Sequence, residues 1–140
     1  MKKRYLLVDD EEISLSMLEF GFSEFGECAT AGNGQEALSL YLKAREEGKP
    51  YDLVCTDITM PVMDGLELIR GIREYEHALA STEEASRTVI FVISVNDSAQ
   101  DMEHALLDCD SDDYIVKPIR RDMLENLLEK YRLIDAGNPD

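Results

Sequence analysis

Five short apolar runs recur along the chain, and each is followed by a segment in which apolar residues have helical spacing. The runs are residues 5–8, 27–31, 53–55, 89–93 and 114–116, of which the second is the weakest. Continuous apolar strands that alternate with amphipathic helices are typical of a parallel sheet covered by helices on both faces. The pattern therefore predicts an α/β fold, a doubly wound five-stranded parallel sheet with five helices.

The first predicted helix, residues 12–25, carries more apolar residues than one packed face needs. One row is Ile13, Met17 and Phe20, and a second row is Leu15, Leu18, Phe22 and Phe25. We expect the excess apolar surface to join the core, with a dimer contact as the alternative. Among the later helices, the third begins near Gly65, the fourth spans residues 98–107 and the fifth follows Pro118.

Length and charge narrow the functional classes. The 140 residues suit one domain, predicted as residues 1–134 with a loose tail at 135–140. The net charge of −16 and the pI near 4.4 disfavour nucleic acid and anionic membranes as partners, and attract cations. Three widely spaced cysteines, Cys28, Cys55 and Cys109, indicate reduced thiols in a cytoplasmic protein. No apolar run is long enough to span a membrane.

Polar residues follow four of the five predicted strands. Asp9 and Asp10 follow the first strand, Asp57 the third, Ser94 the fourth and Lys117 the fifth. In an open parallel sheet, ligands bind beyond the carboxyl ends of the strands. Each residue alone is more often a helix cap, a turn residue or a solvated side chain. Their coincidence at one edge of the sheet instead predicts a site.

The chemistry of these residues indicates phosphoryl transfer. Three clustered carboxylates ionise together only beside positive charge. Lys117 supplies one charge, and Mg²⁺, which prefers hard oxygen ligands, would supply more; the absence of His and Cys in the set argues against zinc and copper. A carboxylate can act as a nucleophile and carry a phosphoryl group, whose charge the cation and the lysine would neutralise.

Four motifs, in this order, resemble the receiver domain of two-component response regulators, and specifically the single-domain chemotaxis type. They are "LLVDDEE", "DLVCTDITMPVMDG", "VIFVIS" and "DDYIVKP". The likeness extends from Arg4 to about Arg132. It implies a flavodoxin-like fold with strand order 2-1-3-4-5.

The resemblance also implies roles for the site residues. Asp57 would be the phospho-acceptor, taking a phosphoryl group from a phosphohistidine on a histidine kinase or phosphotransfer protein. Asp10 would bind Mg²⁺ directly with Asp57, Asp9 would bind it through water, and Thr59 would contribute its backbone carbonyl. Lys117 would pair with the phosphoryl oxygens.

The resemblance further implies a signalling mechanism. Ser94 would be the switch hydroxyl and Tyr114 the switch aromatic residue, and a cis peptide bond would precede Pro118. Phosphorylation would then change the surface of the predicted helix 4, strand 5 and helix 5. Val95 departs from the small residue usual in the family, and we expect it to slow phosphoryl entry or loss. With no output domain expected, the chain would bind an unknown protein target, dimerise or relay phosphate.

Three other functions stay open from the sequence. The first is a Mg²⁺-dependent aspartyl phosphohydrolase, although Thr59 stands where a general-acid Asp would be expected. The second is a flavin- or nucleotide-binding module, although the acidic first loop repels phosphate. The third is a receiver fold that acts as a phosphate-independent interaction module. In the favoured interpretation the chain is not an enzyme beyond its own phosphorylation and dephosphorylation.

Overall fold

A computed structural model describes residues 3–57, 65–78, 87–94 and 111–134. The strands are β1 (Arg4–Val8), β2 (Glu27–Ala31), β3 (Leu53–Asp57), β4 (Val89–Ser94) and β5 (Asp113–Val116). The described helices are α1 (Glu12–Ser23), α2 (Gly34–Glu46), α3 (Gly65–Ala78) and α4 (Arg121–Lys130). The last of these is the fifth predicted helix, because the fourth lies outside the described residues. None of the described helices combines the length and apolar character that crossing a membrane requires.

The five strands form one parallel sheet in the order β2-β1-β3-β4-β5. The predicted α/β class and the predicted strand order are therefore confirmed. β1, β3 and β4 lie inside the sheet, whereas β2 and β5 are its edges and each pairs with a single neighbour. The carboxyl ends of all five strands point the same way, so the polar residues that follow them are brought to one edge.

Two hydrophobic cores cover the two faces of the sheet, as continuous apolar strands require. On one face α2 and α3 pack over Leu6, Val54 and Val92, and on the other α1 and α4 pack over Leu7 and Phe91. Fully burying an aliphatic or aromatic side chain contributes about 1.5–3 kcal/mol. Because side chains alternate between the two faces along each strand, a residue's position in the strand decides which of the two cores it joins.

Helix α2 shows how local sequence sets an element's bounds. The side chain of Asn33 accepts a hydrogen bond from the backbone amide of Glu36 at 2.8 Å, which caps the first turn. The helix ends before Gly48, whose φ of 74° is a left-handed conformation that glycine adopts without strain. The residues that flank α2, Asn33 at its start and Gly48 after its end, therefore set where the helix begins and ends.

Helix α1 corrects one expectation. Leu18 and Phe22 are buried, but Ile13, Met17 and Phe20 are 71%, 64% and 84% exposed, so the prediction that this row joins the core is wrong. The reason is geometric: one stripe of a helix can face the sheet, and the row with Leu18 and Phe22 occupies it.

The end of α1 also differs slightly from the prediction. The helix stops at Ser23, two residues before the predicted end, where the amides of Phe25 and Gly26 both donate to the carbonyl of Phe22.

Candidate functional site

Three of the predicted site residues meet at the carboxyl ends of the strands. The ammonium group of Lys117, which follows β5, donates hydrogen bonds to Oδ2 of Asp9 at 2.9 Å and to Oδ2 of Asp57 at 2.8 Å. Asp9 follows β1 and Asp57 ends β3, so side chains from three different strands converge on one cation. The carboxylates repel each other unless a positive charge lies between them, and Lys117 occupies that position.

Asp9 is the most deeply buried member of the site. Its side chain is 1% exposed, and its Oδ1 accepts a hydrogen bond from the amide of Glu11 at 2.9 Å while Oδ2 binds Lys117. Its own amide donates to the carbonyl of Ala31 on β2. A buried carboxylate is costly unless it is paired and hydrogen-bonded, and both of its oxygens are satisfied here. Asp9 is therefore a fixed part of the site's floor.

Lys117 is held from its backbone as well as its side chain. Its amide donates to the carbonyl of Ser94 at 2.7 Å, and the peptide bond to Pro118 is cis, as the resemblance implied. Burial lowers the pKa of the ammonium group, but the hydrogen bonds to Asp57 and Asp9 outweigh burial, so the pKa lies above its ordinary value of 10.5. The lysine is therefore fully charged at neutral pH.

Asp57 is the carboxylate nearest to solvent of the bridged pair. Its side chain is 15% exposed against 1% for Asp9, so it is the one that an incoming group reaches. The buried Thr56 donates from its hydroxyl to the backbone carbonyl of Asp57 at 2.9 Å, a contact that the sequence analysis did not single out. Cys55, which precedes Thr56 in β3, is fully buried, and burial raises the pKa of its thiol to about 12. It therefore stays protonated beneath the site.

The remaining predicted residues lie around this centre. Ser94 ends β4 and is half-buried opposite Val116. Tyr114 lies in β5 opposite Val92, and its half-buried side chain packs against the core formed with α2 and α3. Thr59 and Val95 lie outside the described residues.

The donor set at this edge suits a hard cation. Asp10 is exposed immediately after Asp9, so three carboxylates stand at the ends of two adjacent strands. Within the described part of the chain, no three His, Cys, Asp or Glu side chains converge closely enough to hold a metal ion by themselves. Mg²⁺ commonly takes only one or two carboxylates and completes its shell with water and phosphate. The oxygen ligands present therefore fit Mg²⁺ in a shell that solvent and a phosphoryl group would share.

A cavity of about 140 Å³ opens beside the lysine. It is mainly apolar and lies between α1 and the segment after β5, with these residues in its wall: Ser14, Met17, Leu18, Ile93, Lys117, Pro118 and Ile119. A cavity of this size accommodates one ring-sized apolar group. Met17 belongs both to the cavity wall and to the exposed row on α1, so the two features form one continuous apolar surface.

The protein-family model described as the response regulator receiver domain matches residues 5–129 of this chain. A curated relative, the two-component response regulator ORR41 of Oryza sativa subsp. japonica, is 34% identical over 133 residues, which cover 93% of this chain and 94% of that protein. Other curated relatives are longer, and the chain spans between 7% and 54% of the length of the regulators and kinases it matches.

Solved structures are similar over nearly the whole chain. The receiver domain of Ssk1, in a co-crystal with the phosphotransfer protein Ypd1 of Saccharomyces cerevisiae, has a TM-score of 0.80 at 24% identity, covering 98% of this chain and 95% of that one. CheY in the CheX-CheY-BeF3-Mg²⁺ complex of Borrelia burgdorferi has a TM-score of 0.72 at 26% identity, covering 92% and 89%. The chain belongs to the response regulator receiver domain family.

Proposed function

We propose that Asp57 accepts a phosphoryl group from a phosphohistidine on a histidine kinase or a phosphotransfer protein. The observation that carries the proposal is the Lys117 ammonium group, which bridges Asp9 and Asp57 at the carboxyl edge of the sheet. This arrangement places a cation beside the carboxylate that would accept phosphorus.

The transfer exchanges one bond for another. An oxygen of Asp57 forms a bond to phosphorus while the bond between phosphorus and the imidazole nitrogen breaks, and that nitrogen keeps the electron pair and takes up a proton. The ammonium group of Lys117 already contacts the accepting carboxylate at 2.8 Å, so it could contact the phosphoryl oxygens after only a small movement. Asp9 retains the lysine's orientation from the other side.

The reaction is proposed to depend on Mg²⁺. Asp10 and Asp57 would bind the cation directly, Asp9 through a water molecule, and Thr59 through its backbone carbonyl. When bound, the cation supplies Lewis-acid stabilisation of the phosphoryl oxygens. The support in this chain is the surplus of carboxylate over cationic charge: Lys117 balances one of the three carboxylates at this edge.

The proposed output is a change in surface. Phosphorylation adds about −1.5 to −2 charges at Asp57. The hydroxyl of Ser94 would move toward the new phosphoryl group and Tyr114 would turn inward. The surface of β5, α4 and the helix predicted from the sequence at residues 98–107 would then change. On that surface Arg120 and Asp122 are largely exposed at the start of α4, where a protein target could contact them.

The central test is phosphorylation by a small donor such as acetyl phosphate with Mg²⁺, followed by mass spectrometry of the intact protein. We expect one labile phosphoryl group on the wild type and none on Asp57→Asn. Asp122→Asn is the matched control, because its exposed carboxylate contacts Arg120 and the amide of Met123, and the variant should be labelled like the wild type. Labelling of Asp57→Asn to the same extent as the wild type would refute the proposal.

The exposed row on α1, formed by Ile13, Met17 and Phe20, is proposed as the docking surface for the phosphotransfer partner. It adjoins the cavity that reaches Lys117, so a partner seated there would also face Asp57. The net charge of −16 opposes a second copy of this chain on the same surface and favours a partner that carries basic residues. An apolar helix with basic flanks fits this surface better than a homodimer does.

Docking and chemistry can be separated experimentally. Phe20→Ser should lower kcat/KM for transfer from a phosphorylated histidine phosphotransfer protein by at least roughly tenfold, since aromatic anchors dominate such contacts. The rate with acetyl phosphate should stay unchanged. Leu42→Ser, at another partly exposed apolar residue on α2, is the control and should affect neither rate. Equal losses with both donors, or none with the protein donor, would contradict docking on α1.

The phosphohydrolase alternative predicts a different result. A hydrolase would turn over phosphate esters such as p-nitrophenyl phosphate many times, whereas the proposed receiver would release at most one phosphoryl group per phosphorylation cycle. Multiple turnover that Asp57→Asn abolishes would favour the hydrolase.

A further inference from the structure

Asp112 lies at the opposite end of the sheet from Asp57, directly before the edge strand β5. It belongs to a group of polar side chains around the amino-terminal ends of β4 and β5, which we call the base cluster. The members of the base cluster are Tyr41, Arg45, Arg73, Glu76, Arg87, Thr88 and Asp112. The phosphoryl-transfer chemistry proposed above uses none of them, although several are largely buried ionisable side chains.

Asp112 binds both backbone polar groups of one residue on β4. Its amide donates to the carbonyl of Ile90 at 2.7 Å, and its Oδ2 accepts from the amide of Ile90 at 2.8 Å. In an ordinary parallel ladder these two groups bond to two different residues of the neighbouring strand. Here one residue serves both, because the carboxylate takes the place of a backbone carbonyl. Asp112 therefore defines where β5 begins relative to β4.

Asp112 is itself fixed from several directions. Its Oδ2 also accepts from the guanidinium of Arg73 on α3 at 3.0 Å, and Arg87 binds its other oxygen. The hydroxyl of Tyr131, beyond α4, donates to its backbone carbonyl at 2.8 Å. Arg73 in turn is held by Glu76 at 2.8 Å and by the carbonyl of Thr88 at 2.7 Å. The position of Asp112 is thus set by α3, by the start of β4 and by the end of α4.

Strand β5 depends on such anchoring. It has four residues, and among the described strands it pairs with β4 alone. Just after its carboxyl end, the amide of Lys117 donates to the carbonyl of Ser94. A slip of one residue would move every side chain by about 3.3 Å and to the other face. The 2.8 Å contact between Lys117 and Asp57 would not survive such a slip.

We propose that Asp112 is a positioning residue for phosphoryl transfer. It fixes β5 along β4, and through β5 it fixes the distance between Lys117 and Asp57 at the opposite edge of the sheet. The inference deepens the proposed phosphorylation of Asp57 and rests on it. A misplacement of about 1 Å in a reacting group costs roughly 10²-fold in rate, so a small loss of register has a large chemical effect.

Three variants test the proposal. Asp112→Ala removes the carboxylate. Asp112→Asn keeps one oxygen that can accept from Ile90 and Arg73, so it is the conservative rescue. Arg45→Met is the matched control, because the contacts described for Arg45 in the base cluster are with Tyr41, Glu76 and Thr88.

Two measurements on each variant separate positioning from stability. The first is the rate of Asp57 phosphorylation by acetyl phosphate at a temperature where every variant is fully folded. The second is amide hydrogen exchange of Ile115 and Lys117 compared with amides of β1. We expect Asp112→Ala to lose about tenfold or more in rate and to exchange faster in β5 alone, given the steep cost of misplacement. The phosphorylation rates of Asp112→Asn and Arg45→Met should stay within about threefold of the wild-type rate. A threefold change corresponds to less than half of the activation free energy of a tenfold change.

Opposite outcomes would overturn the inference. These are an unchanged rate in folded Asp112→Ala, or an equal loss in Arg45→Met, which would assign the effect to general stability. If Asp112→Ala does not fold, Tyr131→Phe is the substitute variant, because it removes only the hydroxyl that contacts the carbonyl of Asp112 and Oδ2 of Asp113. It should also make the amides of β5 exchange faster, and unchanged exchange would count against the proposal. If the wild type is never phosphorylated, the proposed function fails, while the exchange pattern still decides how Asp112 holds β5.

Discussion

Replacing Arg73 by Met should cost this protein a large share of its stability. Arg73 is 8% exposed on α3, and its guanidinium donates to Glu76, to the carbonyl of Thr88 and to Asp112 at 2.7–3.0 Å. Methionine fills similar space with an unbranched apolar chain but donates no hydrogen bond. The substitution therefore leaves two carboxylates and one carbonyl without a donor that they have in the wild type.

The expected magnitude follows from what the orphaned groups retain. Removing one partner of a buried ion pair costs about 3–5 kcal/mol. Glu76 keeps hydrogen bonds from the amide of Thr88 and from Tyr41, and Asp112 keeps the amide of Ile90 and Arg87. The remaining donors shift the cost to the lower end of that range. We therefore expect the free energy of unfolding to fall by about 3 kcal/mol, a large fraction of the 5–15 kcal/mol typical of a domain.

The assay is urea denaturation followed by far-ultraviolet circular dichroism, because the chain has no tryptophan for fluorescence. With an m-value of about 2 kcal/mol/M, the midpoint should fall by about 1.5 M. Arg70→Met is the control, since Arg70 is exposed on the same helix and a surface change should stay within about 0.5 kcal/mol. A loss below about 1 kcal/mol for Arg73→Met, at an unchanged m-value, would refute the assigned role of the base cluster.

Three further predictions concern ionisation and packing. Because the folded-state pKa of Lys117 lies above its ordinary value, its stabilising contribution is complete below the unfolded value of about 10.4 and is lost as pH rises through the higher folded value. Urea titrations should show the stability difference between wild type and Lys117→Met shrinking as pH rises beyond about 10.4, and a constant difference would contradict this. Burial raises the pKa of Cys28 to about 11, so iodoacetamide at pH 8 should alkylate it roughly 10²-fold more slowly in the folded than in the unfolded protein, as read by peptide mass spectrometry. A methyl group at Gly26 would lie 2.6 Å from the carbonyl oxygen of Lys3 and 2.7 Å from the ring of Tyr5, so Gly26→Ala should cost about 1–3 kcal/mol by urea denaturation.

The sheet and the edge that carries the site were predictable because short-range patterns encode both. A short uninterrupted run of β-branched and aromatic residues such as 89–93 favours a strand buried on two faces, and β4 spans it. Since parallel strands share one direction, Asp9, Asp57 and Lys117 had to emerge at the same edge wherever each strand lay in the sheet. The strand order itself came from the resemblance, because local pattern carries no record of which strands are neighbours.

Features that depend on tertiary partners were harder to predict. On α1, hydrophobicity alone could not distinguish the row containing Phe22, which is buried, from the row containing Phe20, which is exposed. On α3, Arg73 and Glu76 continue the buried stripe of Leu68, Ile69 and Ile72 at spacings of three and four residues. That spacing is the signal that would have found them, but charged residues near a helix end are usually solvated, so the pattern favours the wrong interpretation until Thr88 and Asp112 are seen to meet them.

The two ends of β5 carry opposite arrangements of charge, and this bears on how the proposed signal would travel. At the site, one ammonium group lies between the carboxylates of Asp9 and Asp57, whereas in the base cluster one carboxylate, Asp112, lies between the guanidinium groups of Arg73 and Arg87. A phosphoryl group on Asp57 would compete with Asp9 for Lys117, so the first arrangement must change. Nothing in the proposed reaction alters the charge around Asp112. If β5 shifts on phosphorylation, it should therefore shift about a fixed end at Asp112, and Tyr114, only two residues away, should reorient its side chain while its backbone stays in register with Val92.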